Sequence, residues 1–336
     1  MKKRVLAVIL GMAMTVSMVT GCGAEKSTTG EDTAGKDEGY KIAIIKQMDH
    51  ASLDEIADSV AAQLDAISEE KGVDIEYEIY SGQGEQTTLK QIGDQTVAEG
   101  VDAVIPIASL AAQVITSCAK GADIPVVYAA VSNPEEAELT DIDYVTGTSD
   151  ALNTEFIFEM MEKQNPDMKK VGLLYSLSEA NSKKPIAEAK EYLDKEGIEY
   201  VEQTASTNDE VIAAASSLVA ENVDAVFTPT DNVIMAAELA IYEELAEAGI
   251  PHYTGADSFV RNGAFATCGV NYTTLGIETA NLAYQVITEG MDEMEDYYLS
   301  EGGMITVNTE TADMLGIDYS VFSEMGEVVE VTTTED

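Results

Sequence analysis

The chain predicts two doubly wound α/β lobes, Rossmann-like in build, facing each other across a central cleft. Three observations predict it. Short apolar runs alternate with amphipathic helical windows along most of the sequence. The alternation comes as two series, broken near Asp150. The two series also share junctions: Gly100, Val101, Asp102, Ala103 and Val104 match Asn222, Val223, Asp224, Ala225 and Val226. In the same way Asp123, Ile124 and Pro125 match Gly249, Ile250 and Pro251, with a proline at the first position of a buried strand. Strands apolar on both faces and separated by helices are the pattern of a parallel sheet covered on both sides.

In the first series, strands are expected at 41–46, 74–80, 103–107, 125–130 and 144–146, where short apolar runs are bounded by turn residues. Helices fill the intervals at 53–71, 85–99 and 110–120. In the second series, strands are expected at 170–174, 199–204, 225–228, 252–255 and 266–269, with helices at 154–164, 184–196, 209–220 and 232–248. Crossovers near Asp150, Tyr272 and Ser300 divide the chain into one lobe of 40–149 plus about 273–300 and another of 150–272 plus about 301–330. In open α/β sheets, ligands collect outside the carboxyl ends of the strands, so the cleft is where a site is expected.

Composition narrows the function classes. With 62 acidic against 18 basic residues, the 336-residue chain has a formal net charge of -44. Such a surface repels phosphate backbones, and nucleic acid is not an expected partner. A mean hydropathy of -0.04 with a single long apolar run argues against a multi-span membrane protein. Only His50 and His252 exist, so no histidine metal cluster is expected, and no cofactor or metal is assigned. Gly82, Gln83, Gly84, Glu85, Gln86 and Thr87 half-mimic a dinucleotide loop but lack the final glycine and a first-strand position. No Gly-x-Ser-x-Gly elbow accompanies the histidines, and the chain is read as a non-enzyme.

The N-terminus speaks to compartment. Lys2, Lys3 and Arg4 precede an apolar stretch at 5–19, and small residues then lead into Cys22. This is the layout of a secretory signal over 1–22, too short to span, and Cys22 is the expected lipidation point. Residues 23–39, rich in Gly, Ser, Thr, Ala and charge, read as a flexible tether. Cys118 and Cys268 are expected as buried free thiols.

The candidate site residues are those that follow the strands. The first series offers Gln47, His50, Ser109 and Ser132, and the second offers Ser178, Asn181, Ser182, Asp231, Asn232 and Asp257. Several of them open helices, where Ser, Asp and Asn also serve as caps whatever the function. A zwitterionic ligand suits this set. Ser109 ahead of Leu110, and Asn181 with Ser182 ahead of the 184–196 helix, offer hydroxyl, amide and helix N-terminal donors to a carboxylate. Asp231, with Asp257 second, is the expected partner of an ammonium group. Tyr128, Tyr175, Phe259 and Tyr272 are candidates for an aromatic wall, although as core residues they need no such role.

From 41 to about 318 the sequence resembles the ABC transporter substrate-binding family that includes tryptophan- and tyrosine-binding proteins. The blocks that carry it are Gln-Met-Asp-His-Ala-Ser-Leu-Asp at 47–54, Ile-Pro-Ile-Ala-Ser-Leu-Ala-Ala-Gln at 105–113 and Val-Val-Tyr-Ala-Ala-Val-Ser-Asn-Pro at 126–134. Val-Thr-Gly at 145–147, Tyr-Ser-Leu-Ser-Glu-Ala-Asn-Ser at 175–182, Pro-Thr-Asp-Asn at 229–232 and Asn-Gly-Ala-Phe-Ala-Thr-Cys-Gly-Val-Asn-Tyr at 262–272 continue it. The resemblance implies a lipid-anchored, extracytoplasmic protein of the periplasmic-binding-protein type I fold. Such a protein closes on a small polar ligand, in this reading an amino acid with the aromatic ones included, and docks on an ABC permease with its ATPase. It also implies that the Ser-Glu-Ala-Asn and Pro-Thr-Asp-Asn loops belong to the site. The sequence departs from the family at Ser132, Asn133 and Ser258, where acidic residues are common, and at Ala51 and Leu110, where proline is common. Two alternatives stay open: a lipid-anchored sensor for a signalling receptor, and a nucleoside, sugar or short peptide as the ligand.

Overall fold

The computed structural model describes residues 39–300 and 302–334. The expected signal segment with Cys22, and nearly all of the expected tether, lie outside the described residues. One sheet holds six strands, β1 (Tyr40–Lys46), β2 (Ile75–Ser81), β3 (Ala103–Ile107), β4 (Val126–Tyr128), β5 (Val145–Ser149) and β11 (Tyr298–Leu299). Their order is β11-β5-β4-β3-β1-β2, and all pairs are parallel. The seven-stranded sheet holds β6 (Lys170–Tyr175), β7 (Glu199–Thr204), β8 (Ala225–Thr228), β9 (His252–Ala256), β10 (Ala266–Val270), β12 (Gly302–Asn308) and β13 (Val328–Val331). Its order is β13-β12-β10-β9-β8-β6-β7.

The central strands are buried along their whole length, as in β3 and β8, because helices cover both faces. In the first half these are α1 (Ala51–Lys71), α2 (Gln86–Glu99) and α3 (Ser109–Ala119). The second half adds α4 (Thr154–Gln164), α5 (Ala180–Glu196), α6 (Asn208–Ala220), α7 (Asn232–Met235), α8 (Glu238–Glu247) and α9 (Asp257–Arg261). Then follow α10 (Tyr272–Glu289) and α11 (Thr309–Leu315). The apolar rows predicted for 53–71 are the buried stripe of α1, with Leu53, Ile56, Val60, Leu64 and Ile67 inside. Gly72 ends that helix in the left-handed conformation, where its N–H bonds Ser68 O at 2.9 Å.

Four local expectations differ from the structure. The 232–248 helix is two helices, α7 and α8. The chain tightens at Ala237, whose N–H bonds Ile234 O at 2.9 Å, and Glu238 is fully enclosed with Oε1 2.9 Å from His252 Nδ1. Helix α5 begins at Ala180, so Asn181 and Ser182 sit in its first turn. The sheets are not wholly parallel: β12 runs antiparallel to β10, pairing Cys268 with Ile305, because the chain re-enters the second sheet from the far side of the crossover. Of the two thiols, Cys268 is buried as expected, whereas Cys118 is partly exposed; both are free.

Helix α10 was not anticipated. It leaves the second sheet after β10 and lies along α1, and β11 then joins the first sheet. Gly276 permits the close approach of the two helices, since a Cβ there would stand 2.9 Å from Ile56 O and 2.7 Å from Ser59 Cβ. The N-terminal residue of α10, Tyr272, and the N-cap residue of α1, His50, both belong to the site described next.

Candidate functional site in the interlobe cleft

The loops that leave the carboxyl ends of β1 and β4 meet those that leave β6, β8 and β9. Four side-chain hydrogen bonds join the two sets. Gln47 Nε2 donates to Glu179 Oε1 at 2.9 Å. His50 Nε2 lies 3.0 Å from Asn232 Oδ1, Ser52 Oγ 2.6 Å from Ser258 Oγ, and Ser132 Oγ 3.1 Å from Thr230 Oγ1. The bonds fix proton positions. Asn232 Nδ2 donates to Glu179 Oε2 at 2.6 Å, so Asn232 Oδ1 is left to accept from His50 Nε2–H. Ser132 donates to Asp150 Oδ1 at 2.7 Å and therefore accepts from Thr230. Tyr272 OH donates to the other oxygen of Asp150 at 3.0 Å.

These contacts fall into three hydrogen-bonded groups around the cleft: Gln47, Glu179, Asn232 and His50; Ser52 and Ser258; and Tyr272, Asp150, Ser132 and Thr230. Together they make a broken ring of polar side chains. Gln47 is aimed by its surroundings: its Oε1 accepts the Leu110 N–H at 3.2 Å in the first turn of α3. The turn into α3 is held at Ala108, which has φ 78, a backbone region that disfavours a side chain. Bonds of Ala108 N to Ala129 O (3.0 Å) and of Ala112 N to Ala108 O (2.9 Å) hold it there. Behind the same loop, Lys46 bonds Asp49 at 2.7 Å and pairs with Asp54.

Of the ten residues expected here, Gln47, His50, Ser132 and Asn232 are in the ring. Asn181 joins it from behind by donating to Thr230 O, and Ser109 is buried beside Leu110 in the first turn of α3. Ser178 is exposed and bonds Ser176 Oγ at 2.8 Å within its own loop. Asp257 is buried, with Oδ2 at 3.4 Å from Arg261 Nε.

Asp231, expected to meet an ammonium group, is fully enclosed. Its Oδ1 accepts the Val233 and Ile234 N–H groups at 3.0 and 3.1 Å, and its Oδ2 accepts Ser176 N–H at 2.7 Å and Ser182 Oγ at 2.6 Å. With both oxygens occupied, it caps α7 and ties that helix to α5 and the end of β6. Ser182 is spent in the same bond.

Ser52, Asp150 and Ser258 are not among the candidate site residues; Glu179 and Thr230 enter only through the Ser-Glu-Ala-Asn and Pro-Thr-Asp-Asn loops, and Tyr272 only as a candidate for an aromatic wall. Glu179 has the same local signature as Asp231, an acid between a strand end and a helix start, and that signal was available in the sequence. Asp150 marked only a boundary.

Burial sets the electrostatics. Glu179 is pushed up to about 7 by burial and then by the neighbouring Asp231 carboxylate. Asp257 rises to about 6 through burial and the nearby Glu55, and burial also raises Asp150 and Asp231. Burial pulls His50 down to about 4, so its ring is neutral near pH 7. Among the described residues no group of three or more His, Cys, Asp or Glu side chains is arranged to hold a metal ion.

A family model for ABC transporter substrate binding proteins matches residues 41–326. The chain belongs to that family. Its members and structural neighbours are binding proteins rather than enzymes. A tyrosine-binding protein from Clostridioides difficile is 31% identical over 293 residues, covering 85% of this chain and 84% of its own. A Streptococcus pneumonia ABC domain in complex with L-Trp superposes with a TM-score of 0.77 at 29% identity, over 87% of this chain and all (100%) of that one. A ligand-free, open substrate binding protein from Clostridium difficile superposes less well, with a TM-score of 0.65 at 28% identity over 88% of this chain and 100% of its own. Four hydrogen bonds bridge the cleft in this family member. Among the described residues no helix is long and apolar enough to cross a membrane.

Proposed function

We propose that this protein is the extracytoplasmic solute-binding component of an ABC importer, taking a small polar ligand, an amino acid with the aromatic ones included, and handing it to a permease and its ATPase. One lobe is 40–149 with about 273–300, and the other is 150–272 with about 301–330. Ligand that touches both lobes favours the closed form by its differential affinity. The observation that carries this reading is the chain of bonds from Gln47 through Glu179 and Asn232 to His50, which links the two lobes at the carboxyl ends of their strands. Ser109, Ser132, Asn181 and Asp257 complete the contacts, Ser178 stands at the rim, and Asp231 with Ser182 supports them from behind. The tyrosine and L-Trp named for the two relatives support an aromatic amino acid.

A thermal-shift screen of amino acids, nucleosides, sugars and short peptides tests the ligand. L-tyrosine or L-tryptophan is expected to raise the melting temperature, since a thousandfold excess over Kd stabilises by about 4 kcal/mol. A response confined to sugars or nucleosides overturns the amino-acid reading. Cys22 is proposed as the lipid anchor of the mature chain. Cys22→Ser is expected to release the protein from membranes, and lipid labelling that persists in this variant refutes the anchor.

A further inference from the structure

Four carboxyl groups belong to the interlobe ring or stand directly behind it: Asp150, Glu179, Asp231 and Asp257, at 4%, 6%, 0% and 5% exposure. The donors to the first three are hydroxyls, amides and backbone N–H groups, all neutral. Arg261, whose side chain is 41% exposed, is the one cation bonded to any of the four among the described residues, and it reaches only Asp257. Lys46 is committed to Asp49 and Asp54, and Glu55 adds further negative charge near Asp257. Buried carboxylates without a countercharge cost several kcal/mol each.

A second, independent deficit has the same sign. Asn181 Oδ1, Asp257 Oδ1 and His50 Nδ1 are buried and have no hydrogen-bond partner in the protein. Asn181 and Asp257 are 7% and 5% exposed, and His50 Nδ1 is a bare lone pair because Nε2 carries the proton. An unmet buried acceptor is itself costly. An ammonium group supplies a positive charge and three N–H donors, the two things these deficits call for, whereas a carboxylate supplies only more negative charge and more acceptors.

Resting on the reading of this ring as the ligand site, we infer that the protein holds its ligand principally by a protonated amino group, and that primary amines lacking a carboxylate form a ligand class for it. Glu179 is the anchor of that amine. Its carboxylate is held by Gln47 from one lobe and Asn232 from the other, so the ammonium group reinforces a contact that already spans the cleft. Asn181 and Asp257 are the further acceptors.

Calorimetry on the mature chain with six probes tests this: tyramine and tryptamine, hydroxyphenylpropionate and indolepropionate, and L-tyrosine and L-tryptophan. The amines are expected to bind within about tenfold of the matching amino acid, and the acids not detectably. Glu179→Gln is expected to weaken amine binding by about tenfold or more while the melting temperature stays within a few degrees. Acids that bind as well as the amines, or amino acids that bind while both amines fail, overturn the inference. So does a failure of all six probes. Amines that bind where the amino acids do not sustain the inference and overturn the amino-acid reading alone.

Discussion

Gln47 and Glu179 lie 132 positions apart in the chain and share a 2.9 Å hydrogen bond across the cleft. The Gln47 amide has no freedom to turn away, because its oxygen is held by the Leu110 N–H. Hydrogen bonds to charged groups contribute about 1.5–3 kcal/mol. Gln47→Ala is therefore expected to raise the Kd for L-tyrosine or L-tryptophan by roughly ten- to hundredfold. Gln47→Glu, which sets a second carboxylate against Glu179, is expected to cost more. An unchanged Kd by calorimetry in both variants removes this bond from the closing step.

Asp231 leads to a different expectation. Its four bonds all lie within the second lobe and satisfy backbone donors at the start of α7 and the end of β6. Asp231→Ala leaves the Ser176 N–H and the Ser182 hydroxyl buried and removes the α7 cap. The expected loss is about 3 kcal/mol or more of folding stability, read from denaturant unfolding. A wild-type unfolding midpoint combined with lost ligand binding would make Asp231 a contact residue instead.

The raised Glu179 carboxyl makes stability depend on pH. Its folded value of about 7 lies above its ordinary 4.5, so between these values the folded chain binds more protons than the unfolded one. Stability from this group is complete below about 4.5 and is lost as pH rises through about 7. Asp257, raised to about 6, acts in the same direction. His50 acts oppositely: lowered to about 4 from 6.5, it favours folding as pH rises through that window. The melting temperature of Glu179→Gln, compared with wild type from pH 4 to 8, isolates the first contribution. The wild-type curve is expected to fall more steeply with rising pH than the variant curve, and parallel curves would contradict the assignment.

Gly276 tests how the site is framed. A methyl group there meets the backbone of α1 at Ile56 O, 2.9 Å away, and backbone atoms of a packed helix give way poorly. Gly276→Ala is expected to cost about 1–3 kcal/mol, and Gly276→Val more. Because α1 carries His50 and α10 carries Tyr272, ligand affinity should fall alongside stability. Wild-type unfolding in Gly276→Val would mean that α10 does not pack tightly on α1.

Much of the fold was legible because burial imposes a period. The stretch at 103–107 reads as a buried strand and is one, and the apolar rows of 53–71 are the inner face of α1. The break between α7 and α8 carried no such signal. Ala236 and Ala237 are good helix formers, and the turn there places Glu238 against His252 from a neighbouring strand. The antiparallel β12 was equally hidden, since its direction depends on where the chain returns from the first sheet.

The amino-acid sequence alone determined the two alternating series, the carboxyl-edge loops and, of the residues bonded across the cleft, Gln47, His50, Ser132 and Asn232, because secondary structure follows short-range patterns of apolar spacing. Only the tertiary structure separated Glu179 from Asp231. Both are acids between a strand end and a helix start, yet α7 and its neighbours saturate one while side-chain amides from two lobes hold the other. Burial, pairing and the charge deficit of the ring arise from contacts between residues far apart in the chain, and these leave no periodic trace along it.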